Sequence, residues 1–320
     1  MARRVVAAVD LGGTKVVVAP AHDKVGAPVS APTGPDITGV ELIGTLVRLV
    51  RAAVGPVDEL AAIGIASAGP IDREAGTISP VNLRRSHGAP IVSSLRETFG
   101  VPVSLVGDAV GFALGEWWAG SARGADAVLG IVVSTGIGGG LVSDGRAADG
   151  RTGNAGHIGH MIVDPNGPPC PCGAVGCLEA IASGPSSVRW ALAQGWRGAD
   201  RTGVGLSAAA RDGDPIALAA LRRAGEAVGR AAASVTTLLD LDAVVIGGGL
   251  ASAGEPLTGP LRAAFDSGRT LHYTRRCRLT FATDTAASAL LGAAVPHLAR
   301  GLTGADWNRR EPEGVLLARD

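Results

Sequence analysis

Residues 4–19, RVVAAVDLGGTKVVVA, decide how the rest of the chain is read. Arg4–Asp10 is an apolar run of strand length, Gly12-Gly13 is a turn, and Lys15–Ala19 is a second, β-branched run. A dinucleotide fold needs G-x-G-x-x-G between a strand and a helix, whereas this loop leads into another strand. The phosphate loop G-x-x-x-x-G-K-[ST] occurs nowhere in the 320 residues. The same order returns farther on. Ala127–Val133 reads as a strand, Thr135–Gly140 as a glycine turn, and Leu141–Ser143 as strand again. Two strand–glycine turn–strand units, one per half, predict an α/β protein of two duplicated domains, each offering a loop to one ligand between them.

Glycine tolerates positive φ and lets backbone N–H groups converge on phosphate oxygens. In the first loop Gly12 and Gly13 supply that backbone, Thr14 a hydroxyl and Lys15 a cation, while Asp10 at the strand end suits Mg²⁺. Thr135, Gly136, Gly138 and Gly139 are placed to cradle phosphate from the opposite side. A third loop, Gly247-Gly248-Gly249, ends the strand Ala243–Ile246 and offers backbone to a base or ribose. Asp108 closes the strand around Val103–Val106 and precedes a helix from Ala109. It can cap that helix, or serve as the base that takes the proton of a hydroxyl attacking the terminal phosphate of ATP.

Three of the four cysteines, Cys170, Cys172 and Cys177, fall within eight residues, on a Pro- and Gly-rich loop that follows His157 and His160. Three thiolates and one imidazole make a closed tetrahedral zinc site with no position left for a reactive water, so the metal is structural. Spacing alone does not choose between the two histidines. Glu179 follows at a helix start, where it either balances exposed N–H groups or contacts a sugar hydroxyl.

Composition narrows the class. Aromatics are only 3% against 46% apolar residues, so the interior is packed by Val, Leu, Ile and Ala, as parallel sheets under Ala-rich helices require. A formal net charge of +0 supplies no bulk field for nucleic acid. No run of 18 apolar residues is present, and clustered cysteines fit a reducing cytoplasm, so a cytoplasmic protein without membrane or direct nucleic-acid contact is expected. Helices are expected at 37–54, 91–99, 109–118, 179–193, 215–220, 221–239 and 285–294. The tail after Gly301 is expected to be peripheral, with Arg309–Glu313 loose.

DLGGTK (10–15), GDAVGFALGE (107–116), STGIGGG (134–140), GHIGH (156–160), CPCGAVGCLEAIAS (170–183) and VIGGGL (245–250) together resemble the ROK family. The resemblance runs from Asp10 to Ala294. Its NAGHxGH and SPVN patterns are similar to those of an actinobacterial branch. It implies a two-domain actin-like ATPase or ribonuclease-H-like fold around a cleft, with residues 1–118 plus 293–320 in one domain and 119–292 in the other. It also implies an ATP- and Mg²⁺-dependent sugar kinase, commonly a homodimer or homotetramer, with Asp108 as base. By the same likeness the structural Zn²⁺ is held by His160, Cys170, Cys172 and Cys177. Asn82, His157, His160 and Glu179 then face the substrate. Repressor members carry a winged helix ahead of this body; with nine residues before Asp10, a direct repressor is not expected. Gly107 and Val110 stand where the family usually has amides, and His157 where it usually has an acid. Glucose is therefore the default acceptor, a modified sugar or cyclitol the next, and a noncatalytic sugar sensor a further alternative.

Overall fold

The computed structural model describes residues 3–22 and 24–299. The first half opens with an antiparallel run of β1 (Arg3–Leu11), β2 (Lys15–Ala21) and β3 (Val29–Pro32). After α1 (Gly39–Ala53), β4 (Asp58–Ser67) returns parallel beside β1. The short β5 (Ile71–Asp72) and β6 (Thr77–Ile78) form a hairpin, and α2 (Ile91–Phe99) leads into β7 (Val103–Gly107). The sheet order is β3-β2-β1-β4-β7. α3 (Asp108–Ala119) then crosses to the second half.

There β8 (Ala127–Val133), β9 (Ile137–Ser143) and β10 (Arg146–Ala147) again run antiparallel. Four helices follow: α4 (Leu178–Ala182), α5 (Gly184–Ala193), α6 (Gly203–Arg211) and α7 (Pro215–Leu239). β11 (Ala243–Gly247) lies parallel to β8, α8 (Glu255–Gly268) connects it to β12 (Arg278–Phe281), and α9 (Thr285–Leu298) ends the fold. The order β10-β9-β8-β11-β12 repeats the pairing plan of the first sheet.

Alternation along the strands explains how the layers stack. Ala7, Val9 and Leu11 of β1 pack with Leu42 and Leu46 of α1, while Val6 and Ala8 pack with Leu290 and Ala294 of α9. In the second sheet Leu129, Ile131, Val244 and Ile246 meet α7, whereas Val128 and Val245 meet Phe112 of α3. Each sheet is thus apolar on both faces. α3 and α9 cover the facing sides and pack on one another, giving two lobes with a cleft.

Several elements differ from expectation. Residues 215–239 form one helix, and 179–193 is broken at Ser183, whose ψ of 160° ends α4 while its hydroxyl caps α5. The helix expected at 37–54 runs from Gly39 to Ala53, with Leu42, Leu46, Leu49 and Val50 as its buried stripe and Val40 82% exposed. A capping box of Thr38 and Glu41 starts that helix and sets the register. The glycines 138–140 lie inside β9 rather than in the turn before it. α8 escaped notice because Pro256, Gly259 and Pro260 read as breakers. Pro256 sits in the first turn, where a missing N–H costs nothing. The tail after Gly301, including Arg309–Glu313, lies outside the described residues. Among the described residues no helix is long and apolar enough to cross a membrane.

Candidate active site

Asp10 and Asp108 end neighbouring parts of the first sheet. Asp10 pairs with Ala66 of β4 near the end of β1, and β7 delivers Asp108 directly into the first turn of α3. The cap position is taken by Gly107, which has no side chain to serve it, and Asp108 Oδ1 accepts the Ala109 N–H at 2.7 Å. Asp108 keeps an exposed surface on a recess, yet protein atoms crowd around it, so groups reach it but bulk water solvates it poorly. Burial raises its pKa against the lowering effect of the Ala109 N–H and of nearby His157. Burial, then the negative charge of Asp108, raises Asp10 to about 6, with Lys15 opposing.

The sign of that shift makes a prediction. Folded Asp10 holds a proton that the unfolded chain releases near pH 4, so stability falls as pH rises from about 4 to 6 and stays reduced above. Asp10→Asn should be more stable than the parent by up to about 3 kcal/mol at pH 7.5. The gap should close near pH 4. Urea unfolding without Mg²⁺ checks this, and equal midpoints at pH 7.5 would refute it.

The hairpin turn after Asp10 is fixed by the Gly12 N–H donating to Lys15 O at 3.0 Å, and it leaves Thr14 and Lys15 exposed. Asn82 packs onto it: a Cβ built on Gly13 would lie 3.0 Å from the Asn82 amide nitrogen. In the second lobe the Ser134 N–H donates to Gly136 O across the turn that carries Thr135, and Leu250 N donates to Val133 O at 3.0 Å. Gly247–Gly249 therefore lies beside this turn. Gly248 has φ +97° and its N–H donates to Thr285 Oγ1, a conformation that disfavours any side chain. Gly140 serves another purpose. A Cβ there would come within 2.4 Å of Ala109 O, so glycine in β9 lets the first turn of α3 lie directly on the strand.

The recess at Asp108 draws its walls from both lobes: Gly69, Ile71 and Gly107 on one side, Gly138, Gly139, Asn154 and His157 on the other. Ala109, Val110 and Ala155 make much of the remaining lining apolar. His157 Nδ1 lies 2.7 Å from Asn154 O, and its ring lies nearly parallel to that of His160, 6.3 Å away.

His160, Cys170, Cys172 and Cys177 converge, with one ligand atom from each all within 4.8 Å of one another. His160 Nδ1 is 3.7 Å from Cys170 Sγ, and the Cys172 and Cys177 sulfurs are 3.7 Å apart. Zinc–sulfur bonds of about 2.3 Å at tetrahedral angles span sulfurs by about 3.8 Å, so the donor set fits the ion. Burial, followed by the neighbouring thiols, pushes Cys177 up to about 12, and a divalent cation would supply the missing countercharge. Two residues on, Glu179 Oε2 accepts the Ile137 N–H at 2.8 Å, tying the cysteine loop to the start of β9. The sequence offered no signal for that link, nor for Asn154 and Thr285, whose roles depend on distant backbone.

This arrangement of two equivalent sheets, paired glycine turns, a recessed acid and a Cys₃His loop has relatives. The ROK family profile matches residues 6–299. The chain belongs to the ROK family. It is 40% identical over 220 residues to a glucokinase of Thermotoga maritima, covering 64% of this chain and 69% of that protein. It is 38% identical over 256 residues to an N-acetylmannosamine kinase of Citrobacter koseri, covering 77% and 83%. Among solved ROK structures, a Streptomyces griseus glucokinase in complex with glucose and AMPPNP is 29% identical with a TM-score of 0.76, covering 91% of this chain and 98% of that one.

Proposed function

We propose that this ROK protein is an ATP-dependent sugar kinase in which Asp108 takes the proton of the acceptor hydroxyl. The observation that carries the reading is the recess around Asp108, walled by both lobes, with Asp10 close enough for the charge of Asp108 to act on it. The acceptor oxygen attacks the γ-phosphorus of ATP, the bond to the β-phosphate oxygen breaks, ADP leaves, and the hydroxyl proton passes to Asp108. Asp10 would hold Mg²⁺, which neutralises charge on the phosphates when bound. Gly12–Lys15 and Thr135, Gly136, Gly138 and Gly139 are assigned to phosphate, and Gly247–Gly249 to the nucleoside. Asn82, His157, His160 and Glu179 are assigned to the acceptor. Zinc on His160, Cys170, Cys172 and Cys177 is assigned a bracing role. The assignment of 1–118 with 293–320 and of 119–292 to separate domains is likewise kept as a proposal.

The acceptor is hexose-sized, with glucose the default in view of the glucokinases among the relatives. A second reading, a modified sugar such as N-acetylmannosamine or a cyclitol, is favoured by the apolar wall of Ala109, Val110 and Ala155. Hydroxyls facing that wall would go unpaired, which costs affinity. A coupled ADP-release assay over hexoses, N-acetylhexosamines and cyclitols, with product mass, decides between them. A dominant kcat/KM for one class is expected. Ligand binding without turnover across the whole panel would instead support a sugar sensor.

A further inference from the structure

Asn154 makes two sets of bonds that connect the lobes with the acceptor recess. Its side-chain Oδ1 accepts the Ile71 N–H at 3.2 Å, and its Nδ2 donates to Ile71 O at 2.9 Å. The amide therefore pairs with the backbone of β5 as a neighbouring strand would. Its orientation is fixed by the partners, because the flipped amide would set donor against donor and acceptor against acceptor. Nδ2 is also near Thr152 O and Thr152 Oγ1, at 3.4 and 3.2 Å. Nearby, an ion pair of Arg73 with Asp149 links the same segments.

The backbone of Asn154 does something different. Its carbonyl lies 2.7 Å from His157 Nδ1. A carbonyl can only accept, so this nitrogen carries the proton and neutral His157 keeps its lone pair on Nε2. That edge of the ring faces the recess: a Cβ on Gly69 would lie 3.6 Å from Nε2. Gly69 and Asp108 both line the same recess.

We propose that Asn154 is a positioning residue, clamping residues 153–157 onto Ile71 of the facing lobe so that His157 is held with Nδ1–H on the Asn154 carbonyl and Nε2 free to accept from the acceptor. The recess then selects, at this position, a group that donates a hydrogen bond, such as a hydroxyl or an amide N–H. Loss of the clamp frees the segment, and the ring can turn or change tautomer. Its effect falls on binding more than on the proton transfer at Asp108, because the His157 contact exists before the phosphate moves.

The kinetic part rests on the sugar-kinase reading; the tautomer does not. Long-range ¹H–¹⁵N NMR of histidine-labelled protein at pH 8, with His157 assigned through His157→Gln, should show the Nδ1–H form in the parent. Asn154→Ala and the near-isosteric Asn154→Asp should both lose it. Asp keeps an acceptor for the Ile71 N–H but sets a carboxylate oxygen against Ile71 O. Arg73→Ala, which breaks only the neighbouring ion pair, should retain it. With the acceptor found by the panel above, both Asn154 variants should raise KM about 10- to 100-fold, with kcat changed much less. An unchanged His157 signal in both Asn154 variants overturns the proposal, as does an equal change in Arg73→Ala. If the parent turns over no acceptor, the kinase reading fails while the NMR result still decides this one.

Discussion

Asp108→Asn should lower kcat by about 10²- to 10⁴-fold, the range that a positioned general base contributes, while changing acceptor KM only a few-fold. Asparagine keeps an oxygen for the Ala109 N–H that Asp108 Oδ1 accepts at 2.7 Å, so the first turn of α3 keeps its geometry. What disappears is the capacity to take a proton. The variant should also be no less stable at neutral pH. Burial raises the Asp108 pKa, so the folded state keeps a proton that the unfolded chain gives up at lower pH. Ionisation above that raised value works against folding, and the amide removes the cost. The same shift places the acid limb of the parent kcat/KM profile above the ordinary aspartate range near pH 3.8. Steady-state kinetics with urea unfolding at pH 7.5 read both effects. More than a tenth of parental turnover in the variant would remove Asp108 as base.

Much of this site was legible in the chain because its parts are local. A strand followed by Gly12-Gly13 and another strand reads as a hairpin, and β1 and β2 form one. The cysteine loop is likewise compact, and Cys170, Cys172 and Cys177 meet His160 as spacing allowed and the resemblance required. What stayed hidden depends on pairs far apart in sequence. Asn154 meets Ile71 across 83 residues, and Glu179 reaches Ile137 across 42. No local periodicity encodes either partner, since in both cases the partner is backbone. The misplaced turn at 135–140 has another origin. Glycines 138–140 read as a loop, but Gly138 and Gly140 are small because α3 needs the space above β9, and Gly139 because Gly156 and Ile158 lie against the other face. A run of glycine can mean freedom or it can mean close approach, and only the neighbour distinguishes them.

Replacing Cys177 by Ala should release one zinc per chain and lower kcat/KM at least about 10- to 100-fold, the usual cost of disturbing a metal's supporting structure, without unfolding the sheets. The loop from Met161 to Cys177 belongs to neither sheet and carries little apolar packing of its own. The small cluster there is Cys170, Cys177 and Ala180, with Ala174 against it. Two isolated bridges, Ile162 with Cys177 and Pro169 with Val175, are its main ladder contacts. So little burial cannot offset the entropy of ordering this many residues, and four metal bonds can. β8, β9 and β11 do not depend on that ion, because their strands are buried against α7 and α3. The damage should instead travel through Glu179. Its carboxylate accepts the Ile137 N–H beside the turn that carries Thr135, so freeing the loop releases a group assigned to the sugar and loosens a turn assigned to phosphate. KM for ATP should rise together with KM for the sugar, a pairing that a contact to the sugar alone would not produce. Metal analysis, far-UV circular dichroism and limited proteolysis separate the parts: zinc lost, secondary structure retained, and new cleavage between residues 161 and 177. A zinc-free variant with parental kinetics for both substrates would show that the loop holds its shape without the metal, and the bracing role would fall.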